Sequence, residues 1–218
     1  MKTKNSEEAK VNDFYERFEF KKFDISCRIK NFIERTTLSD LRNMKCLDVG
    51  FGHGIDIIVM EKLGGEVYGI DISPKNVRNA IKKTGNRKLR QGSVLDLPFK
   101  DNTFDFVYCS GVIHHTTNPE RAVSELVRVT KQGKLIFLFV YRKGFQGNLI
   151  SLLRRINIIP YRLFNPLWRD LLYVPILKRF TPDEINGMFS RHKIIIIRRT
   201  QKKSILSKGT IQVLGRKQ

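Results

Sequence analysis

The 218 residues suffice for one well-buried domain and are few for two, and a composition of 41% hydrophobic and 28% charged side chains excludes wholesale disorder. The polar start, MKTKNSEEAKVNDF, lacks the apolar core of a secretory leader, and no run of about 18 uncharged apolar residues is present to span a bilayer. The net charge of +20 is unevenly placed, with 24 basic and 18 acidic side chains in residues 1–141 but 17 and 3 in residues 142–218. Such a field suits nucleic acid, an anionic membrane surface or an acidic substrate; it also suits a solvated basic face with no partner. Cys27, Cys46 and Cys109 are odd in number, far apart and without metal-like spacing, which predicts reduced thiols in a cytoplasmic protein.

In chain order, residues 11–37 predict one or two amphipathic helices carrying Phe14, Phe18, Phe23, Ile29 and Phe32. Lys45–Gly50 is an apolar strand ending in glycine, and Ile55–Leu63 follows with helical spacing. Glu66–Asp71 is a second strand, after which Pro74 opens a helix to about Lys83. Arg87–Gln91 and Phe104–Cys109 predict two more strands. Asn118 and Pro119 start a helix with Ala122, Leu126 and Val129 on one face, and Leu135–Val140 is a strand covered on both sides. Residues 144–180 form an insertion broken by Pro160, Pro166 and Pro175. Thr181-Pro182-Asp183-Glu184 then starts a helix to about Phe189, before closing strands at Lys193–Arg199 and Gly209–Gly215. This alternation predicts an α/β, doubly wound, mostly parallel seven-stranded sheet with helices on both faces, its last strand antiparallel, plus a helical cap insertion.

Four segments carry chemistry. Cys46-Leu-Asp-Val-Gly-Phe-Gly-His-Gly54 passes from strand to helix through glycines, where a ligand can lie against backbone. Its Gly-x-Gly-x-Gly spacing departs from the Gly-x-Gly-x-x-Gly of dinucleotide sites. Asp71 closes the second strand about 20 residues on, where a carboxylate can accept from ribose hydroxyls. Gly92-Ser-Val-Leu-Asp-Leu-Pro-Phe99 follows the third strand, and Phe104 to His115 runs from the fourth into a loop at the carboxyl edge, where open α/β sheets bind ligands.

Together these segments resemble the class I methyltransferase family, particularly its branch of small enzymes acting mostly on small molecules. The Leu-Pro-Phe-Lys-Asp-Asn-Thr-Phe-Asp, Gly-Val-Ile-His-His and Glu125-Leu-Val-Arg-Val129 runs add to the likeness, which is dense over residues 45–141. The resemblance implies S-adenosylmethionine as cofactor. Gly50, Gly52 and Gly54 would let its methionine part lie on the backbone, with Asp48 buttressing the loop. Asp71, followed by Ile72, would bind the ribose, Asp96 the adenine amino group, and Leu97 would cover the ring. Cys109, Ser110 and Gly111 would hold the methionine amine through main-chain groups, and Tyr15 or Phe18 would close over the cofactor. The family's Lys-Pro-Gly-Gly turn is replaced by Thr130-Lys-Gln-Gly-Lys134, where local backbone change is expected.

A sulfonium methyl is already electrophilic, so the protein need only align the acceptor, exclude water and remove a proton. His114 and His115 are the candidate bases; each also fits a packing role. Tyr141 is either a third catalytic side chain or an aromatic closing the core. His53 reads as a spacer, His192 has no assigned role, and no metal is expected. The organisation expected from the resemblance is one methyltransferase domain: an N-terminal helical lid (1–44), a cofactor-binding core (45–141), a basic and aromatic cap (142–180) and a closing unit (181–218). In the cap, Leu149, Leu152, Leu153 and Ile156 lie among arginines with Trp168 and Tyr173, fitting a packed cover, a peripheral membrane face or a clamp for an anionic substrate. The expected acceptor is an O, N or C nucleophile of a small-molecule or lipid-linked metabolite. The alternatives are an RNA substrate, weakened by the missing Asn/Asp-Pro-Pro-Tyr/Phe motif, and a non-catalytic cofactor binder. The sequence sets no oligomeric state.

Overall fold

In a computed structural model, the structure describes residues 2–17, 40–143, 174–202 and 209–218, with side chains from residue 7 in the first segment and through Thr200 in the third. Phe18, Phe23, Cys27, Ile29, Phe32 and the cap stretch holding Leu149 to Tyr173 lie outside the described residues. Helix α1 spans Lys2–Arg17. The α/β core then runs β1 (Lys45–Val49), α2 (Ile55–Lys62), β2 (Glu66–Asp71), α3 (Pro74–Thr84), β3 (Leu89–Gln91) and β4 (Phe104–Ser110). A single 3-10 turn at Ile113–His115 leads to α4 (Pro119–Val129), β5 (Thr130–Tyr141), α5 (Pro182–Arg191), β6 (Ile194–Lys202) and β7 (Thr210–Lys217).

The sheet has seven strands in the order β3-β2-β1-β4-β5-β7-β6. β1 pairs in parallel with β2 and β4, and β5 continues the parallel set beside β4. β7 is antiparallel to both β5 and β6, so it lies between the two strands that precede it in sequence.

Strand alternation sorts side chains onto two faces. Leu47, Val49, Val107, Ile136 and Leu138 pack with Ala122, Leu126, Ile185 and Phe189 from α4 and α5. Cys46, Val67, Phe106, Tyr108 and Phe137 pack with Ile57, Met60 and Ala80 from α2 and α3. Both faces are therefore covered, which is why these strands read as near-continuous apolar runs. Local chemistry fixes the helix starts. Ser73 caps α3 through Asn76 N–H, Asn118 caps α4 through Arg121 N–H, and each helix has proline in its first turn. Thr181 and Glu184 form a reciprocal capping box on α5.

β5 starts at Thr130, not Leu135. Phe104 pairs with Thr130 and Phe106 with Leu135, so Lys131–Lys134 form an excursion within the strand, turned by Gly133 at φ 71°. It replaces the expected turn and lies at the amino edge, where Lys131 meets Asp105 at 2.9 Å.

Candidate active site

The carboxyl ends of the parallel strands line a cleft, and α1 closes one side of it. Beyond β1, Gly50 takes φ 74° and Gly52 φ 52°, conformations that side chains disfavour. A Cβ on Gly50 would also sit 2.2 Å from Val112 Cγ2, so this residue lets the first loop press against the fourth. At Gly52 there is open space, and that backbone faces the cleft. Gly54 lies behind it as the left-handed cap of α2, against Ala80.

Gly52 N–H donates to Asp71 Oδ2 at 2.8 Å, fastening the glycine loop to the end of β2. Asp71 Oδ1 accepts from Ser73 N–H at 2.9 Å and Asn76 Nδ2 at 3.1 Å. Burial pushes the Asp71 carboxyl above its ordinary range, against the pull of the Ser73 and Gly52 N–H groups. Beneath the loop, Asp48 is 2% exposed and its Oδ2 has no hydrogen-bond partner. Its burial, then the nearby Asp56 and Asp71, drive its pKa well up. Glu8, Asp56 and Asp71 line the cleft itself, with the buried Asp48 behind them, a surrounding that favours a ligand bearing positive charge.

The third loop differs from expectation. Gly92, Ser93 and Val94 line the cleft, whereas Asp96 is exposed and Leu97 is buried in the core, neither facing the ligand space. The cause is a turn. Asp96 N–H donates to the Ser93 carbonyl, and Leu97 N–H then donates at 2.8 Å to Glu125, which is 2% exposed. Arg128 completes that anchor, bonding Glu125 and the carbonyls of Leu97 and Phe99. The Leu-Pro-Phe segment is thereby held to α4 and not to the cofactor space.

At the fourth loop Ser110, Gly111 and Val112 line the cleft, while the Cys109 side chain is buried in the sheet with its thiol pKa raised by that burial. Of the two histidines only His115 lines the cleft; His114 is fully buried beneath it. Their rings lie 4.1 Å apart, and His114 is also 4.1 Å from the ring of Tyr141, which lines the cleft from the end of β5. His115 Nδ1 is 2.8 Å from the Ile176 carbonyl, an acceptor only, so the proton of that bond belongs to Nδ1. The strip that supplies Ile176 is tied to the same turn: Lys178 N–H donates to the His114 carbonyl and Lys178 Nζ to that of Thr117. His53 lines the cleft edge, its pKa lowered by burial and by Lys83 and Lys75, and His192 is bonded to Glu120 outside the cleft.

Tyr15 lines the cleft 6.0 Å from the His115 ring. Helix α1 is docked by Glu16, which accepts from Ser73 Oγ at 2.6 Å and Lys75 N–H at 2.8 Å. Glu8 joins the lining and accepts from Ser93 Oγ at 2.9 Å. Sequence reasoning singled out Tyr15 but missed Glu8 and Val11, whose spacing of three and then four residues was the available signal. Ser93, Val94 and Asn76 were missed as well.

Residues 47–138 match the family model described as a methyltransferase domain. An uncharacterised methyltransferase of Schizosaccharomyces pombe is 34% identical over 127 residues, covering 49% of this chain and 46% of that protein. The demethylmenaquinone methyltransferase of Staphylococcus aureus is 36% identical over 101 residues, covering 44% and 42%. The chain thus spans less than half the length of either relative. Among solved structures, the magnesium protoporphyrin IX methyltransferase of Synechocystis, with bound SAH, superposes with a TM-score of 0.65 at 15% identity, over 99% of this chain and 96% of that one.

Proposed function

We propose that this chain, whose residues 47–138 match the methyltransferase domain model, is a class I S-adenosylmethionine-dependent methyltransferase that transfers a methyl group to an O, N or C nucleophile on a small-molecule or lipid-linked acceptor. It would do so as a single cytoplasmic domain, with residues 1–44 as lid, 45–141 as cofactor core, 142–180 as cap and 181–218 as closing unit. The observation that carries the reading is the glycine loop fastened to Asp71 above the unmatched Asp48 carboxylate.

S-adenosylmethionine supplies an electrophilic methyl on a positively charged sulfur. Gly50 and Gly52 offer it a bare backbone surface, with Gly54 fixing the exit into α2 and Ser110 and Gly111 opposite. A carboxylate has about four acceptor positions, and Asp71 already uses three for Gly52, Ser73 and Asn76. It therefore has about one left for a ribose hydroxyl. Ile72, Ser93 and Val94 line the adjoining wall, and Ser93 and Glu8 take over the adenine end from Asp96 and Leu97.

His115 is the general base in this reading. Its ring is oriented by the bond between Nδ1 and the Ile176 carbonyl, and it takes the proton from the acceptor's nucleophile. His114 and Tyr141 set the turn's position from below and beside it. Tyr15, on the docked α1, excludes water from the same space.

The assay is calorimetric titration of the folded chain with S-adenosylhomocysteine. It is followed by incubation with methyl-labelled S-adenosylmethionine and a cell extract fractionated into small molecules, lipids and RNA. Label in the first or second fraction is expected. No heat with the product would refute the cofactor assignment, and label confined to RNA would refute the acceptor class.

A further inference from the structure

Among the described residues, β6 is the outer strand of the sheet and pairs only with β7. Its inward side is spoken for: Ile194 is 5% exposed, and a Cβ on Gly215 would meet both Ile194 and Phe189 of α5. Ile196 also packs against the core, whereas Ile195 and Ile197 do not. Ile195 is 52% and Ile197 48% exposed, and they are the exposed large hydrophobic side chains recorded among the described residues. Ile197 falls in the pairing irregularity between Ile196 and Arg198, which sets it out of the regular alternation.

Exposed bases flank the pair. Arg191 and Lys193 precede it, Arg198 and Arg199 follow, and Arg216 lies opposite Ile195 on β7. Among the described residues, only Arg191 of these five has a carboxylate partner, Glu120 at 2.8 Å. From residue 185 to the end the sequence holds nine basic and no acidic side chains. The patch is therefore aliphatic at its centre and uniformly positive around it.

We propose that this edge docks on an anionic lipid surface, with Ile195 and Ile197 entering the headgroup region and the bases on lipid phosphates. Two features favour lipid over other occupants. Pairing β6 with the β6 of a second copy would set like charges against one another. The patch offers isoleucine in place of the aromatic faces on which unpaired nucleic-acid bases stack. The inference stands apart from the chemistry of the cleft, and the two are separated along the sheet. β6 runs parallel to β5, and Lys202 aligns through Thr210 with Tyr141 at the cleft wall. Ile195 instead aligns through Arg216 with Leu135, six residues or about 20 Å along β5 from Tyr141, so the docking patch lies toward the opposite edge of the sheet from the cleft rim.

The test is co-sedimentation of the full chain with vesicles of phosphatidylcholine alone and with vesicles that also contain phosphatidylglycerol. Binding about tenfold or more tighter to the anionic vesicles is expected, weakening as salt is raised. The double variant Ile195→Ser/Ile197→Ser should lose about tenfold in affinity with an unchanged thermal melt. Should that variant not fold, Lys193→Gln/Arg198→Gln should lose affinity for anionic vesicles alone. A solvent-sensitive dye on Ile197→Cys should also shift to the blue with vesicles. Equal affinity for the two vesicle types would overturn the proposal. So would bulk RNA binding more tightly than vesicles and indifferent to the isoleucine variant, or a concentration-dependent dimer that the variant abolishes.

Discussion

Replacing Asp71 by asparagine changes one atom's chemistry at the junction of two loops. The amide can still accept from Ser73 and Asn76 with its oxygen, but the NH2 then faces Gly52 N–H, where Oδ2 accepted a bond of 2.8 Å. Bonds to charged groups contribute roughly 1.5–3 kcal/mol, and the remaining acceptor position for a ribose hydroxyl goes with the same oxygen. The affinity for S-adenosylhomocysteine should therefore fall roughly ten- to hundredfold. Stability should respond differently. Burial raises the Asp71 pKa, so the folded protein holds that negative charge at a cost. Asparagine removes the cost while losing the Gly52 bond, and the two changes oppose. The melting temperature should thus move little while binding drops, as calorimetry and thermal denaturation on the same sample would measure. An unchanged dissociation constant would refute the placing of Asp71 at the ligand, and a large fall in melting temperature would show the residue to be chiefly structural.

Three further outcomes follow from the same geometry. His115→Asn should lower kcat about 10²–10⁴-fold with the cofactor Kd preserved. Equal rates for parent and variant in single-turnover kinetics would exclude His115 as base. Glu125→Ala strands Leu97 N–H and Arg128 and should destabilise the fold by about 2–3 kcal/mol, lowering the melting temperature by roughly 4–12 °C. Asp48 titrates near 3.8 when unfolded and well above that when folded. Its contribution to stability is therefore best at low pH, declines as pH rises from about that value through the raised folded pKa, and then levels off. Urea denaturation of the parent and of Asp48→Asn over a pH series should show a difference with that sign, and a difference independent of pH would refute it.

What the sequence disclosed was set by local chemistry. The glycine loop, Asp71 and the caps at Ser73, Asn118 and Thr181 each declare themselves within a few residues, because a turn or cap constrains the residues that make it. The parallel order of β1 to β5 was readable from the alternation of apolar runs and helices. Neighbour choice at the sheet's end was not: β7 lies between β5 and β6 by long-range pairing that no local pattern encodes. The third loop misled for a related reason. Asp96 is the acid that stands out in Gly92-Ser-Val-Leu-Asp-Leu-Pro, yet the Ser93–Asp96 turn and the pull of Glu125 on Leu97 swing it to solvent and leave Ser93 at the cleft. Likewise His114 and His115 are adjacent and alike in sequence. Only the partner 61 residues on, the Ile176 carbonyl, gives one of them a defined tautomer and a face on the cleft.

That partner also bears on how this protein could be re-engineered. The strip from Val174 to Phe180 ends the segment read from the sequence as a cap, yet through Ile176 and Lys178 it grips the histidine turn 61 residues earlier. A chimera that borrows a new cap and joins it downstream of Lys178 would import a foreign grip on His115 along with it. A junction just before Val174 would exchange the cap and leave the His115 turn in its native setting.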